Sequence, residues 1–244
     1  MAEPGAQESR ELTPKNNDLG VWITKAAFEG KPSLSELPSE FVIPIIVQNQ
    51  VRDILKLTGE KPLSPQQVRE NLEGKVDKAS PYYQQILGYL DEQEQLGKMI
   101  NTEWGVLVTS DEAGNLGVTL PLQGLPDSAY FDSSKLNAKN RAGLSIHSHV
   151  SPRPPSYSDA FGSVYHPRPE NPPLMACVDT EDFWILVRTQ ESEISKTINT
   201  NKWFPTEPQE EQIQKLTQFT KYYNLALFRG SMKDLSKAER IGTI

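Results

Sequence analysis

Thr102-Glu103-Trp104-Gly105-Val106-Leu107-Val108-Thr109 is the stretch on which the fold turns. Apolar and β-prone residues run together here without the helical spacing of the preceding segment, and the run ends in Asp111-Glu112-Ala113-Gly114-Asn115, a hairpin turn. Residues 116–122 read as the returning strand, with Pro121 marking an edge or a strand end. A strand over 142–150 carries two histidines, and two more over 174–178 and 183–187 are joined by the turn Asp179-Thr180-Glu181-Asp182. Residues 133–140 read as a short helix between the second and third of these strands.

Working outward, the flanks are helical. Phe41-Val42-Ile43 is a short strand, followed by a helix over 45–57 with Ile46, Val47, Val51, Ile54 and Leu55 apolar and Thr58-Gly59 as its stop. Ser64-Pro65-Gln66-Gln67 has the form of a capping box with proline at the first helical position. A further helix spans 80–96, capped by Ser80 and ended by Gly97. Near the C-terminus, 206–229 reads as helix with Ile213, Leu216, Phe219, Tyr223 and Leu227 on one side. Residues 1–20 are polar and expected to be disordered, and 21–40 give only scattered anchors, Val21, Trp22, Ile23 and Phe28. The pattern predicts an α/β (α+β) fold.

A formal charge of -7 leaves no basic field for nucleic acid or an anionic membrane, so neither is expected as a partner. The apolar run 41–47 is broken by Pro44 and too short to span a bilayer. No apolar leader is seen at the N-terminus, and a cytoplasmic location is expected. The lone Cys177 excludes an internal disulfide and a multi-cysteine zinc site, and its apolar run reads as a buried strand, so it is taken as a small structural hydrophobe.

All three histidines lie within twenty residues: His147, His149 and His166. Positions i and i+2 of a strand share a face, so His147 and His149 can converge on one point. Asp159 follows ten residues after His149, beyond a turn-rich loop. Two imidazoles and a carboxylate form a zinc set of the catalytic kind, with one position left for water. Such a site needs a carboxylate that does not ligate, and Glu103 stands in an otherwise apolar strand where it is costly unless used or paired. Glu112 is its rival but falls in the hairpin turn. His166 reads as a loop histidine able to touch substrate or replace Asp159. Trp104 and Trp184 read as core or cleft-wall aromatics, Arg153 and Arg168 as loop arginines beside a groove.

Glu103-Trp104-Gly105-Val106-Leu107, His147-Ser148-His149 and Ser156-Tyr157-Ser158-Asp159, in that order, resemble the JAMM (MPN/Mov34-type, JAB1-like) metalloproteases of the prokaryotic type. The resemblance covers residues 39–190. It implies a curved mixed β-sheet flanked by helices, with one zinc ion per chain held by His147, His149 and Asp159. It also implies Glu103 as general acid/base and Ser156 as the residue that stabilises the oxyanion. Two features depart from the pattern: Val150 replaces the proline after the second histidine, and the loop from Val150 to Pro155 is one residue short.

Domains are expected at 1–38 (an N-terminal extension), 39–195 (the catalytic domain, with a helical insertion at 60–98) and 196–244 (a C-terminal helical segment). The resemblance implies a zinc-dependent peptidase or isopeptidase acting on an extended protein or peptide tail, of the ubiquitin-like or sulfur-carrier-like kind. The alternative is a non-catalytic scaffold or binding module of the same fold. A zinc nucleobase deaminase would need more cysteine than the chain has.

Overall fold

A computed structural model describes residues 16–73, 78–79, 81–126, 128–156, 159–160, 172–192 and 209–241. The expectation of disorder at residues 1–15 and those for Ser80, Ser158, His166 and Arg168 lie outside them. Its centre is a mixed ten-stranded sheet. In chain order the strands are β1 (Glu40–Val42), β2 (Trp104–Asp111), β3 (Leu116–Val118), β4 (Pro121–Leu125), β5 (Ser128–Phe131), β6 (Asn140–Ser148), β7 (Leu174–Val178), β8 (Asp182–Arg188), β9 (Leu225–Ser231) and β10 (Asp234–Ile241). They lie in the order β1-β10-β9-β8-β7-β6-β2-β4-β5, with β3 also on β2. Among these pairs only β6 and β7 run parallel. A parallel neighbour requires a crossover, and that crossover is the segment from His149 to Pro173.

Both faces of the central strands are covered, which explains their unbroken apolar runs. Val106, Leu144, Ile146, Ala176, Val178, Phe183 and Ile185 point to one face. Against them pack α1 (Leu19–Phe28), through Leu19, Trp22, Ile23 and Ala26, and α2 (Ile45–Glu60), through Val47, Val51 and Ile54. Cys177, Trp184, Leu186, Leu225 and Leu227 point the other way, with Leu216 and Phe219 of α5 (Gln209–Tyr222). Each fully buried side chain such as Phe183 or Phe219 contributes about 1.5–3 kcal/mol. Two helices, α3 (Pro65–Leu72) and α4 (Pro81–Gln95), lie within the expected insertion and share a cluster with Ile100 and Leu125. The Ser64–Gln67 capping box is present in full.

Several expectations are corrected. The helix expected over 206–229 stops at Tyr222, where Asn224 adopts a positive φ of 51°. Leu225-Ala226-Leu227-Phe228 then enters the sheet, alternating between its two cores. Leu227 falls on the helical period but belongs to a strand. The hairpin β9–β10 inserts between β8 and β1, so a boundary at 195 would cut through the sheet. The N-terminal stretch forms α1, capped by Asp18 accepting from the Gly20 N–H, and its buried residues belong to the main core. Residues 133–139 form turns and no helix, and Asn140 already opens β6, because the Asn137 carboxamide oxygen takes the N–H groups of Lys139 and Asn140. The return strand is divided into β3 and β4, both pairing with β2. α2 runs to Glu60, one residue past Thr58-Gly59, with the Thr58 hydroxyl donating to the Ile54 carbonyl within the helix.

One glycine shapes the sheet near its histidines. Gly105 pairs with His147 on one side and Leu122 on the other. A methyl group at Gly105 would run into the Tyr130 carbonyl and the Phe131 ring, so β5 lies against the sheet there. Gly105→Ala is expected to destabilise the fold by on the order of 2 kcal/mol, since backbone and not a flexible tip must move. Denaturant unfolding checks this; a stability unchanged from wild type would contradict that packing.

Candidate metal centre

The register of three strands brings the site together. Gly105 of β2 lies opposite His147 of β6, and His147 opposite Cys177 of β7. Residues facing each other across a ladder share a side of the sheet. Glu103, two residues before Gly105, therefore points to the side that carries His147. His149 extends the parallel ladder by one step, donating its N–H to the Val178 carbonyl at 2.7 Å. Both histidines thus keep strand spacing. Ser148 points to the opposite face, where its hydroxyl meets that of Thr58 and accepts the Trp104 N–H at 2.9 Å. That bond fixes the entry of β2 next to the end of β6 and so locates Glu103.

The ligand atoms converge closely. His147 Nε2 and His149 Nε2 are 3.2 Å apart. Asp159 Oδ1 is 3.1 Å from the first and Oδ2 is 3.3 Å from the second. Tetrahedral zinc ligands at bond lengths of about 2.0–2.2 Å stand about 3.4 Å apart, so the three groups fit one such ion. His149 turns its Nδ1 to the Arg153 carbonyl at 3.3 Å, which leaves Nε2 for a metal. Asp159 is held by the loop that delivers it: its carboxylate accepts the Ser156 N–H at 2.6 Å, and the Ser156 hydroxyl accepts the Asp159 N–H at 3.2 Å. The reciprocal pair is a capping arrangement with Asp159 three residues after the cap.

The fourth member of the cluster is Cys177. Its sulfur and the ligand atoms of His147, His149 and Asp159 all lie within 4.8 Å of one another. The sulfur sits 3.9 Å from His147 Nδ1, the ring nitrogen that faces away from Asp159. Burial, then the Asp159 and Glu103 charges, push the thiol well above its usual range. At 3.9 Å from Nδ1 the sulfur stands where it can orient the His147 ring, and it is also close enough to the other ligand atoms to be a fourth donor.

No protein-family model, curated protein or solved structure matches the chain. The reading of the site therefore rests on its geometry and chemistry.

Electrostatics couple the cluster. Burial disfavours a charged His147, but the Asp159 charge and hydrogen bond outweigh it and raise the histidine. Burial lowers His149, and the Asp159 hydrogen bond does not offset it. Burial alone would raise Asp159, yet the two imidazoles hold it well below the usual carboxylate range. Glu103 is buried and in an ion pair with Arg153, Oε1 to Nη2 2.9 Å. Its charge acts on both His147 and Cys177.

His147, His149 and Asp159 come together, and Glu103 joins them from the neighbouring strand. Ser156 lies beside Asp159 but is engaged with its backbone. Glu112 is exposed in the hairpin turn. Ser148, which the sequence did not single out, fixes the end of β6, and Cys177, read as a small structural hydrophobe, lies in the cluster. Arg153, read as a groove arginine, lies on the acid/base candidate. The only sequence signal for Cys177 was its strand periodicity, which cannot report register.

Two predictions follow from this arrangement. Cys177→Ala should still take up added zinc, about 10–100-fold more weakly, as for loss of a partner behind a ligand; loss of all uptake would make Cys177 a ligand. In metal-free protein, the raised His147 stabilises the fold below its unfolded pKa and loses that effect as pH rises through its raised folded value. The depressed Asp159 stabilises above its unfolded pKa and loses that effect as pH falls through its lowered value. Chelated protein should therefore melt at lower temperature as pH climbs past neutrality, while zinc affinity increases over the same rise because imidazole must be neutral to ligate. Thermal melts and zinc titrations across pH check both signs, and zinc affinity that is flat with pH would contradict the ligand assignment.

Proposed function

We propose that this chain is a zinc-dependent peptidase or isopeptidase of the JAMM type, hydrolysing an amide bond near the end of an extended protein tail. The observation that carries the reading is the buried His147–His149–Asp159 triangle with Glu103 on the same side of the sheet. Three ligands with a carboxylate nearby are the set a hydrolytic metal centre needs. A bound zinc ion would polarise the scissile carbonyl and lower the pKa of a water molecule. His147 and His149 would hold the ion through Nε2, and Asp159 through a carboxylate oxygen. Glu103 takes a proton from the attacking water and passes it to the leaving amine. Ser156 contributes its hydroxyl hydrogen to the carbonyl oxygen as charge develops there.

An extended tail has a natural approach. β5 is the last strand of the sheet path and crosses beside Gly105, next to His147. A tail added along that edge would run past the metal by main-chain hydrogen bonding. Retention of the full ligand set weighs against a purely scaffolding role. No helix among the described residues is long and apolar enough to cross a membrane.

Glu103→Gln should keep zinc yet lower hydrolysis of an amide-linked ubiquitin-like tail by about 10²–10⁴-fold, the usual share of a general base. Metal content and cleavage rate, measured on the same preparation, test this. Wild-type turnover in the variant would remove Glu103 from the mechanism.

A further inference from the structure

Among the described residues, Arg153 is the strongly basic group set directly on the machinery proposed above, and that reading does not explain it. Its main chain is tied on both sides. The N–H donates to Asp179 Oδ2 at 3.1 Å, and the carbonyl accepts from His149 Nδ1 at 3.3 Å. Asp179 is itself buried and gathers the N–H groups of Glu181 and Asp182, so the anchor is rigid. From this fixed point the guanidinium reaches across to Glu103, with its side chain 30% exposed above a carboxylate that is only 4% exposed. A ligand arriving from solvent therefore meets Arg153 before it meets Glu103.

The placement and shape of the guanidinium say what such a ligand carries. A divalent ion and the guanidinium balance the three carboxylates of Glu103, Asp159 and Asp179, so the centre sets no net negative charge against an arriving anion. The Arg153 charge acts on His147, His149 and Cys177 alike, so it belongs to the centre and not to a distant surface. A guanidinium is a planar fork matched to a carboxylate, and a buried Glu103 can give it up only if another partner replaces it. The attacking water supplies that replacement through its proton.

We infer that Arg153 is the specificity residue of the site and recognises a substrate carboxylate next to the bond to be cleaved, as at the C-terminal residue of a peptide tail. Binding of that carboxylate draws the guanidinium off Glu103. The acid/base residue is then available only when an anionic substrate is seated. A neutral amide leaves the Arg153–Glu103 pair closed.

The inference rests on the hydrolase reading, and its test separates the two. Full-length protein is loaded with cobalt(II), whose visible band reports the centre, and titrated with N-acetylglycine and with the neutral N-acetylglycinamide. The carboxylate should bind wild type more tightly than the amide, on the order of ten-fold. Arg153→Gln should abolish that preference while keeping the cobalt band, and Arg153→Lys should keep part of it because a point charge lacks the fork. Equal affinities in wild type overturn the inference. So does a preference undiminished in Arg153→Gln, which would mean that the carboxylate goes to the metal alone. If Arg153→Gln does not fold, the Arg153→Lys comparison decides, and a full wild-type preference there overturns the fork. Absence of a cobalt band in wild type overturns the hydrolase reading and this inference together.

Discussion

The ladder Gly105–His147–Cys177 is the constraint from which the rest of the site follows. Strand side chains alternate, so a slip of one residue in β6 or β7 would turn that strand's His147 or Cys177 to the α1–α2 face, and one in β2 would do the same to Glu103. Two cores hold the register from opposite sides. Val106, Ile146 and Ala176 are buried against α1 and α2, while Trp184 and Leu186 pack with α5. Ser148 adds a polar lock between the histidines through Trp104 and Thr58. Packing and hydrogen bonding therefore agree on one register, and that register sets Glu103 on the side of His147 and His149.

Such a cluster is expensive without a metal. Two imidazoles, two carboxylates and a thiol are withdrawn from water at one spot, and burial opposes the charged form of each group whose shift is resolved. The fold offsets this by pairing: Asp159 with His147 and His149, Glu103 with Arg153. These are the contacts a divalent ion would reorganise, so metal binding and stability are linked at this site. The capping arrangement of Ser156 and Asp159 lets the loop present its carboxylate to the two imidazoles.

Much of this was legible in the chain. The strands over 174–178 and 183–187 were readable because a doubly covered strand is continuously apolar. The convergence of His147 with His149 follows from strand spacing alone. The C-terminal hairpin was not readable: Leu216, Phe219, Tyr223 and Leu227 fit a helical period, and only the left-handed Asn224 shows where the chain turns into the sheet. Residues 133–140 failed for the opposite reason, since Asn137 side-chain bonds outcompete a helix locally. The place of Cys177 and Arg153 in the centre depends on which strands are neighbours and on the bonds that tie Arg153 to Asp179 and His149. Neither is a local property of sequence.

Anomalous diffraction at the zinc edge, from crystals of protein purified without a histidine tag, tests the central claim most directly. One zinc ion per chain should lie within about 2.0–2.2 Å of His147 Nε2, His149 Nε2 and one Asp159 oxygen, with Cys177 sulfur outside bonding distance. Absence of zinc there, or a sulfur ligand at about 2.3 Å closing the fourth position, would contradict an open hydrolytic centre.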